Sequence, residues 1–167
     1  MNNKKRLTVC SIIAAGYLAF SYSGVKWSLV LPAQEQRCLD HSVFLHKYTS
    51  EFKRGDVISF VLEKDLPPYF KKGQHFMKIA AAVEGDKVKV TRDKVVITTP
   101  KGKVTTYSKD LNYVLSAINK SAGEVEREFE VEKGQFFALG TTLTSYDSAF
   151  WGTHSVDKVT GVGYAVF

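Results

Sequence analysis

Met77-Lys78-Ile79-Ala80-Ala81-Ala82-Val83-Glu84-Gly85-Asp86-Lys87-Val88-Lys89-Val90 decides how this chain folds. The first seven residues are apolar apart from Lys78, as in a strand buried on both faces. Gly85-Asp86 is a turn dipeptide, and Lys87-Val88-Lys89-Val90 then alternates strictly, as a strand with one wet face does. Lys78 stands where another apolar residue belongs. Burial disfavours the charged form of a lysine and leaves an amine that can act as a general base. A strand-end lysine that snorkels to water is the alternative reading.

Outward from this stretch the pattern stays β. Residues 56–63 are apolar on both faces, which predicts another doubly buried strand. Leu66-Pro67-Pro68-Tyr69-Phe70-Lys71-Lys72-Gly73 reads as a loop. Residues 88–90, 95–99 and 104–107 predict short strands joined by turns at Arg92-Asp93 and Pro100-Lys101-Gly102. Residues 124–132 alternate charge with Val and Phe and predict a solvent-facing strand. Residues 135–139 and 159–167 are two more. One soluble helix is predicted over 109–119, with Leu111, Val114, Leu115 and Ile118 at helical spacing and Ser108 as N-cap. Its apolar stripe reads as core packing.

The 167 residues suffice for one domain with a sizeable core. Lys4, Lys5 and Arg6 supply half of the net charge of +6, so the remainder is not the footprint of a nucleic-acid binder. Residues 7–23 carry no charge and are rich in Ile, Ala, Leu and Phe. About 17 residues is the short end for a membrane-spanning helix, and a basic head before it keeps the N-terminus in the cytoplasm. A cleaved signal peptide ending near Ser21-Tyr22-Ser23 is the alternative. The expected organisation is a cytoplasmic tail over 1–6, a transmembrane anchor over 7–24 and an extracytoplasmic domain over 25–167. Residues 26–36 read as an interfacial approach with Trp27 at the aromatic belt. Cys10 falls inside the apolar segment, so Cys10 and Cys38 are read as separate thiols.

Three separate motifs resemble those of the type I signal peptidases. Lys78, six residues and then Gly85-Asp86 is similar to that family's lysine box, with Glu84 where the family has proline. Gly55-Asp56-Val57-Ile58-Ser59-Phe60 resembles the segment that follows its nucleophile. Leu139-Gly140-Thr141-Thr142-Leu143-Thr144-Ser145-Tyr146-Asp147-Ser148-Ala149-Phe150-Trp151-Gly152 resembles its Gly-Asp-Asn…Ser-x-Asp-Ser-Arg box. They occur in the family's order over residues 38–167. The resemblance implies a mainly β fold: an N-terminal transmembrane helix followed by an antiparallel catalytic domain with one short helix.

It also implies a nucleophile activated by Lys78. Laid on the pattern of the conjugation-type, plasmid-transfer branch, Cys38-Leu39-Asp40-His41-Ser42-Val43-Phe44 places Cys38 at the nucleophile and Asp40 at a proline. A thiol is intrinsically the better nucleophile, and Lys78 serves either group. Ser42 is the alternative nucleophile, and a buried, inert Cys38 is the reading without chemistry. By the same resemblance Ser145 orients Lys78 and Ser148 supports the box. Asp147 would be a buried carboxylate whose usual arginine partner is replaced by Ala149. The backbone N–H at the nucleophile, with the Gln36 side chain, would form the oxyanion hole.

His41, His46, His75 and His154 show no metal-ligand spacing, so neither metal nor cofactor is expected. A Cys38–His154 dyad leaves Lys78 unexplained and ranks below Cys38–Lys78. The expected activity is that of a signal-peptidase-like endopeptidase anchored in the inner membrane, with its domain on the periplasmic side. Its expected substrate is an exported precursor, a pilin of the conjugative kind, which is hydrolysed or cyclised by transpeptidation. Nucleic acid is not an expected partner. A non-catalytic envelope scaffold that binds pilin or secretion-channel components is the rival. Protease added to intact spheroplasts should remove the domain and spare the short basic tail. A mature protein beginning near Gly24 and washing free in salt would overturn the anchor.

Overall fold

A computed structural model of the protein describes residue 24, residues 26–31 and residues 38–166. The expected anchor over 7–24 falls almost wholly outside the described residues, as does Gln36. Among the described residues no helix is long and apolar enough to cross a membrane.

Eleven strands are described: β1 (Trp27–Val30), β2 (Phe44–Lys47), β3 (Val57–Val61), β4 (His75–Val83), β5 (Lys87–Val90), β6 (Lys94–Thr98), β7 (Val104–Ser108), β8 (Arg127–Glu130), β9 (Gln135–Leu139), β10 (His154–Ser155) and β11 (Val159–Ala165). The helices are α1 (Leu111–Ile118) and α2 (Ser148–Trp151), with single 3₁₀ turns at Ala122–Glu124 and Val156–Lys158. One sheet runs β1-β2-β11-β3-β4-β9-β10 and the other β7-β6-β5-β8, and the strand pairs are antiparallel.

The chain leaves the large sheet after β4, builds the small sheet and α1, and returns as β9 to pair with β4. The exit turn is fixed on both sides. Gly85 adopts φ +80°, which favours glycine. Its N–H donates to Val131 O (2.9 Å), and Val131 N–H donates to Asp86 O (2.8 Å). The fully buried Asp86 carboxylate accepts from Arg54 Nε (2.6 Å) and from the Val83 N–H (2.9 Å). Arg54 directly precedes Gly55-Asp56, whose backbone bonds to Ala80 at both N–H and C=O (2.9 and 2.8 Å). The first two motifs are therefore one structural joint.

β4 lies between β3 and β9, as its apolar run predicted, and a bulge between Ala80 and Ala82 leaves all three alanines buried. The core joins both sheets and α1, from Ile58, Phe60 and Phe76 through Val88 and Ile97 to Leu111, Leu115 and Phe137.

Several expectations are corrected. Among the described residues there are two helices rather than the one soluble helix expected, because 148–151 is too short to show helical periodicity. Ser108 does not cap α1: it ends β7, and Asp110 holds the cap position without a side-chain bond. Residues 27–30 form an edge strand on β2, an element the sequence did not show there. Strand 124–132 contracts to β8, which alternates half-buried and exposed residues and pairs with β5.

Two buried histidines make the fold sensitive to pH. His46 on β2 lies so close to Gly161 that a Cβ there would overlap its ring, and neither ring nitrogen has a hydrogen-bond partner among the described residues. His154 is enclosed by Phe60, Phe136 and Trp151, with Nδ1 3.6 Å from Glu63. Burial holds both imidazoles below their ordinary value of 6.5, with Glu63 partly opposing this at His154. The unfolded chain takes up protons on these rings before the folded one does. Their stabilisation is whole above pH 6.5 and is lost as pH falls below it toward the lowered folded values. Urea unfolding at pH 7.5 and 5.5 should show this acid loss, and His46→Leu should make it smaller.

Candidate active site

The site is built where the centre of β4 meets the loop after β9. Lys78, paired with Ile58 across β3, is completely buried. Its Nζ donates to Ser145 Oγ at 2.9 Å, and Ser145 is itself buried. Among the described residues no carboxylate lies within ion-pairing distance of that amine. An amine in an apolar slot with a hydroxyl for its partner is placed to take a proton rather than to hold an anion.

Ser145 is held by the 140–147 loop. Asp147 is fully buried and caps α2, accepting from Ala149 N–H at 3.1 Å. Its second oxygen accepts from Gly140 N–H at 3.0 Å and from Lys109 Nζ at 2.7 Å. The two side chains of that ion pair are 1% and 0% exposed. Lys109 also donates to the carbonyls of Gly140 (3.0 Å) and Thr142 (3.3 Å), so the three protons of an ammonium meet three acceptors. The cation replacing the absent arginine thus comes from the segment between β7 and α1. Arg127 adds a second substitute, with Nη2 donating to the carbonyls of Ser148 (2.9 Å) and Ala149 (3.1 Å). Burial lowers the Arg127 pKa from its ordinary value. Ser148 Oγ accepts from Ala138 N–H at 3.0 Å and fastens α2 to β9.

The same loop holds Cys38. Thr141 N–H donates to Cys38 O at 2.7 Å, and Thr141 Oγ1 donates to that oxygen (3.3 Å) and to Asp40 Oδ1 (3.0 Å). Gly140 is squeezed between the two ends of the site: a Cβ there would overlap Ser145 Oγ and lie 2.7 Å from Cys38 O. The backbone of residue 38 is therefore a neighbour of the lysine's hydroxyl partner. Cys38 is partly exposed while Lys78 is wholly buried. Ser42 is half-buried on the approach to β2 and, among the described residues, makes no hydrogen bond with Lys78 or Ser145.

His154 does not join this group. Its Nδ1 faces Glu63, its Nε2 has no hydrogen-bond partner among the described residues, and aromatic rings surround it. Among the described residues no three His, Cys, Asp or Glu side chains gather closely enough to hold a metal ion. A cavity of about 760 Å³ opens beside Tyr146, lined by Leu66, Pro67, Pro68 and Trp151, but neither Lys78 nor Cys38 reaches it.

Lys109 was not singled out in sequence, where it reads as the first residue of a helix. A cation in a helical first turn opposes the macrodipole, and that mismatch was the available signal. Arg54 and Arg127 gave no such sign.

The family described as signal peptidase, peptidase S26, matches residues 7–167. Among solved structures, a signal peptidase I from Enterococcus faecalis is similar at 23% identity, over 67% of this chain and 96% of its own, with a TM-score of 0.40. A search of the curated proteins finds no match.

Gly140→Ala tests the crowding at this joint. Its backbone does not require glycine, so the effect is purely steric. The substitution should cost about 1–3 kcal/mol by denaturant unfolding, as overpacking does. A crystal structure of the variant should show Ser145 displaced from Lys78. Unchanged stability with Ser145 in place would contradict the packing described.

Proposed function

Because the chain belongs to the peptidase S26 signal peptidase family, and is thus a signal-peptidase-like peptidase acting on an exported precursor, we propose that Cys38 is its nucleophile and Lys78 its general base. The buried hydrogen bond from Lys78 Nζ to Ser145 Oγ, beside the Cys38 backbone, is the observation that supports this most directly. Lys78 takes the thiol proton as Cys38 Sγ attacks the scissile carbonyl carbon. The backbone N–H of residue 38, with Gln36, stabilises the oxyanion. Collapse of the tetrahedral intermediate breaks the C–N bond, and the proton on Lys78 passes to the departing amine. A thioester to Cys38 remains. Lys78 then takes a proton from water, which hydrolyses the thioester, or from the precursor's own amino terminus, which closes a ring. Ser145 orients the amine throughout, and Asp147 and Ser148 hold the loop that carries it.

In this reading the substrate is a conjugative pilin precursor. The protein is anchored through residues 7–24 in the inner membrane, with the domain on the periplasmic side. The spacing of residues 38–44 and the basic head before an uncharged segment support both assignments. The exposures fit the division of labour, since a nucleophile must meet substrate while its base works best when dry. The Lys109–Asp147 pair answers the objection raised by Ala149, because the carboxylate keeps a buried cation.

Processing of the precursor in cells lacking this protein and supplied with each variant tests the assignment. Lys78→Met should fold yet lose about 100-fold or more in rate, the scale of a general base. Cys38→Ala should lose cleavage, Cys38→Ser should retain a fraction, and Ser42→Ala should remain active. A dead Ser42→Ala beside an active Cys38→Ala would move the nucleophile by four residues. Full activity in both would remove the catalytic assignment and leave a binding scaffold.

A further inference from the structure

We infer that Lys109 is a positioning residue for the Lys78–Ser145 pair, acting through Asp147 and the Gly140 backbone. The inference rests on the peptidase reading only for its effect on rate; its structural content is independent.

Lys109 lies 31 residues after Lys78 in sequence and belongs to the excursion between β4 and β9. Its backbone N–H donates to Asp93 O (2.8 Å), and the next N–H, of Asp110, donates to Leu143 O (2.9 Å). The segment thus runs alongside the 140–143 loop, fixed to it by a main-chain bond as well as by the side chain. From there Nζ reaches the Asp147 carboxylate and the carbonyls of Gly140 and Thr142. Gly140 is consumed at both ends: its N–H goes to Asp147 and its C=O to Lys109.

That double hold matters because Gly140 is the residue against which Ser145 Oγ and Cys38 O are both packed. Thr141, next in the chain, fastens Cys38 and Asp40. Three of the loop's fixed points, at residues 140, 142 and 147, therefore converge on one ammonium group. Without it Asp147 is a buried charge lacking its cation, and relief requires the loop to open toward water. Opening moves Ser145 away from Lys78 and loosens the contact at residue 38. Lys109 Nζ bonds to the loop and to Asp147 rather than to the Lys78 amine, so its influence is on placement.

Two readouts separate placement from simple stability. In full-length protein labelled with ¹³C at lysine, the Lys78 Cε signal is assigned by its disappearance in Lys78→Met. Lys109→Met should move that signal toward its position in Ser145→Ala, at one fixed pH. With a membrane-inserted precursor carrying small residues before the cleavage site, Lys109→Met should lower kcat by between about 10- and 100-fold while changing KM less than about twofold. The double variant Lys109→Met/Asp147→Asn removes the stranded charge. Its melting temperature should recover toward that of the parent, while its Lys78 signal stays displaced because the two carbonyls remain untied. If Lys109→Met fails to fold, the double variant provides the same signal. A Lys78 signal at the parental position in the folded variants would overturn the inference. A displaced signal in the variant, when the parent protein itself cleaves no precursor, would uphold the placement and overturn the peptidase mechanism instead.

Discussion

A carboxylate with no exposure, Asp147, is the constraint to which the site is fitted. A buried charge of this kind needs a cation and donors, and removing one partner typically costs about 3–5 kcal/mol. Asp147 has Lys109 and two backbone N–H groups. These partners come from three places: the segment before α1, the end of β9 and the first turn of α2. Satisfying one carboxylate therefore fixes the loop that carries Ser145. An apolar residue at 147 would remove the desolvation cost and also the reason for the loop to close in one way.

Two lysines are buried within this small region, and their surroundings solve the burial problem oppositely. Lys109 has an anion and two carbonyls as acceptors for its three donors. Lys78 has a hydroxyl and apolar neighbours such as Ile58 and Ala80. The first arrangement suits a structural cation, and the second is the one required of the general base proposed above. Gly140 is shared between them, and its lack of a side chain lets Ser145 and the Cys38 carbonyl approach from either side.

The excursion from β4 to β9 has a role beyond its own sheet. It is closed at its base by Gly85-Asp86 and Arg54, and it sends Lys109 back to the loop beyond β9. Stability of the small sheet and alignment of the site are coupled through that one side chain. Loss of the familiar arginine at 149 is tolerable in this architecture because the cation is supplied from a different element. Arg127, on β8 of the same excursion, holds the carbonyls at 148 and 149 as well.

What the sequence determined by itself was local. The apolar run at 77–83, the turn at Gly85-Asp86 and the alternation after it specified strands and their order, because strand and turn preferences depend on neighbouring residues. Lys78 stood out because one charge interrupted an apolar run, whereas Ser145 and Asp147 stood out only through the resemblance of the motif that carries them. The edge strand β1 and its neighbour β2 were hidden because four-residue strands near a sheet margin carry little pattern. Only the tertiary structure decided which cation meets Asp147. Lys109 is 38 residues away, and nothing local distinguishes it from a helix-start lysine. Its role arises when the small sheet packs against the large one and the cost of a buried carboxylate selects the ammonium within reach.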